Sequence, residues 1–368
     1  MNKKGLLILL SVVALSYGSE QCCANTCESI KGNTGYLHTA RGCYRNDICC
    51  NSDRWGGIFT ADLLIWQAKV DGLEFAAKNS IFQTQGLNIN ASNVYPDFDW
   101  RPGVKVGLGV YIPCDWDFYS NFTYFYTNSK TSTSAETSIF GFGLIPLIRH
   151  PANVPTTPLR FGSASSQWKM DFYTLDCELG YAMIVSKYLD LRLHGGLKGA
   201  IINQEYTVQY RNGQTIGDIQ VNYGNVDLKN DSRGIGPRLG LQSKWRLKKE
   251  WFIQSSGAVS AILSQFDIRR NETDQALNTD TNTEIITDIN FTEKIWRWNP
   301  ALDMILGIGW ERCFGCFQIQ CNVNYEIQYF WEQNLMRRFT DNFNEALNVS
   351  TKGDLMLHGV SFQFRFDF

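Results

Sequence analysis

From Trp55 onward, apolar and polar side chains alternate with a period of two. Val104, Val106, Leu108, Val110 and Ile112 alternate with Lys105, Gly107, Gly109 and Tyr111. Leu189, Leu191, Leu193, Leu197 and Ile201 alternate with Asp190, Arg192, His194, Lys198 and Ala200. Further rows run through Ile235–Trp245, Trp296–Trp310 and Phe317–Trp331. The last residues place Phe362, Phe364, Phe366 and Phe368 on one face and Ser361, Gln363, Arg365 and Asp367 on the other. Period two is the signature of β-strands with two unlike environments. The pattern predicts strands near 58–67, 103–112, 116–126, 168–185, 189–203, 233–247, 251–264, 295–311, 316–332 and 354–368.

The links alternate in length. Pro113–Asp115, Ser186–Tyr188, Lys248–Glu250 and Arg312–Gly315 are tight, whereas 68–102, 127–167, 204–232, 265–294 and 333–353 are long and polar. Antiparallel strands crossing a membrane make this pattern when short turns face the periplasm and long loops face outward. An exposed strand of four phenylalanines in water would invite aggregation. Facing lipid, the same strand is satisfied on both sides. Tryptophans at both apolar ends of the 295–311 row, with aliphatics between, fit a lipid-facing row crossing two interfaces. The expected fold is all-β: a single-chain antiparallel transmembrane β-barrel with an even number of strands, about 10 to 16. The upper end allows for alternating stretches within the long loops, such as 204–210 with 219–228. A small barrel fills its interior with side chains, and a large one leaves an aqueous channel.

Composition supports this reading. Charged residues are 19% and aromatics 14% of the chain, against roughly 25% charged in ordinary soluble proteins. A net charge of −2 predicts no nucleic-acid partner. At the amino terminus Lys3 and Lys4 precede an apolar run from Leu6 to Leu15, then Ser16 and Gly18. That is the form of a secretory signal peptide, too short to span a bilayer. The expected organisation is a signal peptide over 1–18, a cysteine-rich periplasmic or plug segment over 19–54, and a transmembrane barrel over 55–368.

Export makes the eleven cysteines disulfide candidates. Cys22, Cys23, Cys27, Cys43, Cys49 and Cys50 form a compact block, for which fifteen connectivities exist. Cys313 and Cys316 flank a turn and suggest a turn disulfide or a bond to a neighbour. Their spacing matches a redox pair, but no βαβ context surrounds it. Four histidines leave little for a metal, and no metal or cofactor is expected. His194 lacks a Gly-x-Ser-x-Gly nucleophile nearby and reads as a polar lumen residue. Gly103, Gly107 and Gly109 lack the strand–turn–helix context of a phosphate loop and read as relief of crowding on an inward face.

The inward rows carry the candidate pore-lining charges: Lys105, Arg192, Lys198, Arg238 and Lys244, with Asp190, Asp303, Glu311 and Glu326. Bases gather on middle strands and acids on later ones, so the charges either set a transverse field of the kind that fixes ion preference or merely solvate a polar wall. The apolar run Ile139–Ile148 inside a long loop suggests a lumen constriction, a hydrophobic tip or an ordinary packed external loop.

Several segments resemble one family in order along nearly the whole mature chain: Phe59–Lys69 with Asp71–Phe75, Trp100–Gly109, Asp115–Asp117, Thr123–Phe125, Asp176–Gly180, Ser186–Arg192, Gly195–Lys198, Gly234–Leu241, Leu306–Trp310, Gly353–Leu355 and Phe364–Phe368. The set is similar to the major outer membrane protein-like pore proteins of chlamydiae and their environmental relatives, related to the pore-forming outer membrane proteins of legionellae. The resemblance implies an abundant protein of the bacterial outer membrane forming a diffusion pore, often cross-linked by disulfides, with no catalytic residues. The resulting expectation is a porin, a passive channel for ions and small hydrophilic solutes, with a disulfide-linked structural role and no enzymatic activity. The alternative is a structural or adhesive barrel with a closed lumen and host-facing loops. Expected partners are outer membrane lipid, the barrel-assembly machinery reading Phe364, Phe366 and Phe368, and disulfide-linked envelope proteins or further copies of the chain.

Overall fold

The computed structural model describes residues 55–79, 91–113, 115–136, 143–150, 160–213, 215–216, 218–248, 250–314, 317–340 and 347–368. The expected signal peptide and the early cysteine block lie outside the described residues. Ten long strands carry the fold: β1 Gly56–Val70, β2 Trp100–Ile112, β3 Trp116–Ser134, β4 Phe161–Ser186, β5 Leu189–Gly213, β6 Ile219–Arg246, β7 Trp251–Asn278, β8 Thr283–Phe314, β9 Phe317–Asn334 and β10 Gly353–Asp367. Each pairs antiparallel with the next, and β10 returns to β1 with Phe364 opposite Ala61. The ring of pairings therefore has no break in the membrane zone. Closure satisfies every backbone group there, which lipid requires.

The alternation sorts residues as the sequence predicts. Leu108, Leu175, Leu197, Ile235, Val259, Leu306 and Phe362 point outward and are exposed. Tryptophans mark the interfaces of this apolar band: Trp116, Trp245 and Trp251 by the short turns, and Trp100, Trp296 and Trp298 at the far side. Phe314, Phe317, Phe366 and Phe368 form a run of ring contacts at the periplasmic rim, with centroids 5.5–5.6 Å apart.

The alternating stretches in the long loops are strand extensions, not extra transmembrane hairpins. Residues 204–210 pair with 224–230 as the outer ends of β5 and β6, and 219–221 continue β6 against β7. β7 has 28 residues and β8 has 32, where a tilted span needs only about 9–11. These strands rise well beyond the bilayer as a half-shell crown built from β4 to β8. Opposite them, β9 ends at Asn334 and β10 begins at Gly353, so that side is short.

Two further segments enter the outer mouth. Ala76–Asn79 pairs with Ala91–Val94 and with Gly143–Pro146. Leu73, Phe75, Leu144 and Ile148 are buried there against Tyr206, Val208, Tyr210 and Phe161. Of the apolar loop run, the described part 143–148 thus packs inside the mouth, which replaces the reading as an ordinary external loop. Burial of its apolar side chains, which water disfavours, draws it in.

Candidate functional site

The lumen has two zones set by the inward residues of each strand. The periplasmic half is polar and ionic. Asp62 and Thr60 come from β1, Lys105 from β2, Asp117 from β3, Asp176 and Glu178 from β4, and Arg192, His194 and Lys198 from β5. The circle continues through Arg238 and Lys244 of β6, Asp303 and Glu311 of β8, Glu326 of β9 and Arg365 of β10. Most of these enclose a cavity of about 240 Å³. All nine predicted lumen charges lie inside the barrel. Lys105, Asp190, Arg192, Arg238, Lys244, Asp303 and Glu326 line the cavity, while Lys198 and Glu311 are buried beside it.

Each of these cations meets an acid, and several pairs cross the lumen. Lys105 Nζ donates to Glu326 at 2.5 Å, bridging β2 to β9. Lys198 Nζ lies 3.1 Å from Asp303 and 3.4 Å from Asp176. Arg238 donates to Glu178 at 3.0 Å and also to Asp303. Arg192 Nε donates to Asp117 at 2.9 Å, and its Nη1 to Glu178 at 3.1 Å. Lys244 pairs with Glu311, and Arg246 donates to Asp190 at 2.9 Å. His194 Nδ1 sits 3.2 Å from Glu178. This sets aside the transverse field. The bases of β5 and β6 stand between acids of β3 and β4 on one side and acids of β8 on the other. Their fields cancel over a few ångströms.

Glycines make room for this crowding. A Cβ at Gly107 would lie 2.1 Å from the Tyr119 hydroxyl, whose oxygen shares a 2.7 Å hydrogen bond with Thr60.

Above the ionic zone the lumen is mainly aromatic and aliphatic, with a polar cluster in which Gln333 bonds Asn230, Ser232 and Asn299. Trp66, Phe125, Phe172 and Phe330 are fully or almost fully buried. Phe172 of β4 and Phe330 of β9, on opposite walls of the ten-strand ring, meet edge to face with centroids 5.7 Å apart. Lys198 lies 5.8 Å below the Phe330 ring, which ties the two zones together. The inserted mouth segment then seals the top. Tyr206 donates its hydroxyl to the Leu73 carbonyl at 2.6 Å, and Arg270 donates to the Ile148 carbonyl at 2.6 Å. Arg149 pairs with Asp274 at 2.9 Å, and the His150 amide donates to Glu272 at 2.8 Å. Burial raises the Glu272 carboxyl above its ordinary range, opposed by the Arg270 charge. The sequence reading did not find the clamp of Arg270, Glu272 and Asp274. Its one signal was charge at three successive inward positions, 270, 272 and 274, of a strand extension.

Among the described cysteines, Cys177 and Cys321 are free and Cys313 is disulfide-bonded. Cys316 lies outside the described residues. Among the described residues there is no cluster of three or more metal-binding side chains, and no helix is long and apolar enough to cross a membrane.

A profile of the Legionella pneumophila major outer membrane protein precursor family matches residues 47–368. No curated protein sequence matches the chain. Among solved structures, the outer membrane protease OmpT from Escherichia coli is 9% identical, covering 85% of this chain and 96% of its own, with a TM-score of 0.41. A mutant of the TodX monoaromatic hydrocarbon channel is 10% identical over 85% and 90%, with a TM-score of 0.31. A Pseudomonas aeruginosa FadL homologue is 6% identical over 86% and 90%, with a TM-score of 0.28. Identities and scores this low say nothing of this chain's activity. The chain belongs to the Legionella major outer membrane protein family and is a β-barrel of the bacterial outer membrane.

Proposed function

We propose that this family member serves as a structural, surface-presenting barrel of the outer membrane whose lumen is closed in its resting form. The contact between Phe172 and Phe330 carries this reading, because it joins opposite walls at the level where the ionic zone ends. An ion crossing there would lose most of its hydration in a layer where only a few buried amides, Gln204, Asn230, Asn299 and Gln333, stand beside the rings. The idealised cost of moving a small ion into such a medium is of order 20 kcal/mol.

A second reading is a porin passing ions and small hydrophilic solutes. One observation favours it. Buried polar atoms of Thr123, Thr174, Asp176 and Gln328 in the lower lumen lack hydrogen-bond partners. Such atoms are ordinarily satisfied by water, so the periplasmic half suits a wet vestibule. On either reading, lipid is the partner of the aromatic belts, and the barrel-assembly machinery of Phe364, Phe366 and Phe368. The cysteines, including Cys22, Cys23, Cys27, Cys43, Cys49, Cys50, Cys313 and Cys316, serve cross-links within the envelope.

Single-channel recording of the refolded chain in planar bilayers, with and without reductant, tests the choice. The closed reading expects no steps. Regular ohmic steps from folded protein would replace it with the porin.

A further inference from the structure

More than half of β8 has a neighbour on one side only. Thr283–Trp310 pairs with β7, but pairing with β9 begins at Ala301. Among the described residues, no other backbone group bonds to Thr283–Pro300. This open edge starts at the outer aromatic girdle of Trp296 and Trp298 and runs to the crown tip. It is rich in residues that favour strands: Thr283, Ile285, Ile286, Thr287, Ile289, Phe291, Thr292 and Ile295. Ile285 and Ile286 are 39% and 56% exposed. Proteins normally blunt such edges with proline, bulges or charge, because unpaired N–H and C=O groups template another strand. Here Pro300 stands only at the base, and the two basic residues, Lys294 and Arg297, both lie in the half nearest the membrane.

We infer that Thr283–Pro300 is a docking edge that takes up, by strand addition, an extended polypeptide segment with alternating apolar and basic side chains. Main-chain bonds supply affinity in this mode, and the alternate side chains supply choice. The half-buried face offers Ile289, while Phe291 already packs on Phe339 and Ile295 on the Phe266, Ile268 and Leu335 cluster; the exposed face offers Glu284 and Asp288, whose carboxylate also accepts from Thr273 at 2.8 Å. Glu293 is already paired with Arg337. The open charge toward the tip is thus acidic and calls for a basic guest.

A second copy in the same membrane does not fit. Barrels in one bilayer share an orientation, so two such edges would run parallel. Glu284 would then sit near Glu284, and Asp288 near Asp288. Like charges placed opposite each other across strands are destabilising.

The inference rests on the reading that the crown stands outside the cell, and that is tested separately. Thr281→Cys on intact cells should react with a membrane-impermeant maleimide; no reaction would sink the location. Docking itself is tested on the full chain refolded in liposomes. The probe is a ten-residue peptide alternating valine and lysine. The control peptide has the same composition with its lysines in one block. Hydrogen exchange should slow in 283–300 with the alternating peptide and not with the control. Ile289→Pro and Asn290→Pro are made separately, since successive amides face opposite sides. The variant whose amide faces the open edge should fold, by heat-modified gel migration, and lose the protection. Glu284→Gln with Asp288→Asn should weaken binding about ten-fold. Unchanged exchange in 283–300, equal effects of both peptides, or protection that rises with protein concentration alone would overturn the inference.

Discussion

Asp303 offers the most direct test of a lumen held by crossing ion pairs. Its carboxylate lies 3.1 Å from Lys198 Nζ and also accepts from Arg238. Lys198 is fully buried, and the Arg238 side chain is nearly so. At an effective dielectric of about 20, one such contact is worth about 5 kcal/mol of Coulomb attraction before desolvation is subtracted. The net worth of the intact pair is far smaller. Breaking it is another matter, because Asp303→Leu leaves two cations in the barrel with one acceptor fewer. That typically costs about 3–5 kcal/mol. Asp176, 3.4 Å from Lys198, and Glu178, 3.0 Å from Arg238, offset part of this, so the lower end, about 3 kcal/mol, is expected. The assay is urea unfolding in liposomes, read by tryptophan fluorescence and heat-modified migration. Adding Lys198→Met should recover only part of the loss, since Arg238 keeps Glu178 and an apolar pair replaces an ionic one, while the buried Asp176 loses its lysine partner. Raising salt should change little, because buried pairs are poorly screened. A cost below about 0.5 kcal/mol for Asp303→Leu, or no recovery in the double variant, would refute the idea that these charges hold the walls together.

Other expectations follow from the same geometry. Phe172→Ala with Phe330→Ala removes the aromatic contact across the lumen. It should cost roughly 3–5 kcal/mol per ring at most in urea unfolding and leave the bilayer record silent, because the mouth segment still seals the top; conductance steps would show that segment to be no barrier. Gly196→Ala would put a Cβ 1.9 Å from the Cys177 carbonyl oxygen, a backbone atom that cannot turn aside, whereas Gly257 has open space. Urea unfolding should show a loss of about 1–3 kcal/mol for the first and near none for Gly257→Ala. Glu272 gives a pH test. Its carboxyl is raised by burial against the opposing charge of Arg270, so the clamped state binds the proton more tightly than the released state. Protonation therefore supports the clamp. That support is fully present below the ordinary glutamate value and is lost as pH rises through the raised one. Amide protection in 143–150 should fall over that window, and Glu272→Gln should flatten the profile; a fall on acidification would reverse the assignment.

The strands were legible because each has lipid on one side, which forces an apolar residue at every second position whatever its neighbours. Residues 103–112 and 251–264 fall within observed strands for that reason, and 354–368 overruns β10 by one residue. The length of the extensions was less legible. Beyond the bilayer, alternation persists in 204–210 and 219–228, but the outward face meets water and the pattern no longer marks where the membrane ends. The inward charges could be picked out as inward, since period two does that. Their partners could not. Lys105 and Glu326 are 221 residues apart, and their meeting depends on barrel circumference and register, which no local pattern carries. The transverse field failed for the same reason: chain order groups Arg192, Lys198, Arg238 and Lys244 together, while the closed ring sets acids on both sides of them.

Closure and charge balance together constrain what any conducting state must look like. The ionic zone does not exclude ions: its charges are matched, its cavity is about 240 Å³, and orphaned polar atoms there suit water. The barrier lies in the layer from Trp66 and Phe172 upward, where wall aromatics and the inserted segment share one core. Opening it means exposing Leu73, Phe75, Leu144 and Ile148 to water, at about 1.5–3 kcal/mol for each large side chain. It also means releasing the Arg149–Asp274 pair and the Arg270 and His150 contacts. The sum is comparable to the whole stability of many domains, so thermal fluctuation alone would rarely open the pore. A conducting form therefore needs a partner or a covalent change that binds the released segment. Without one, the proposed reading expects no conductance.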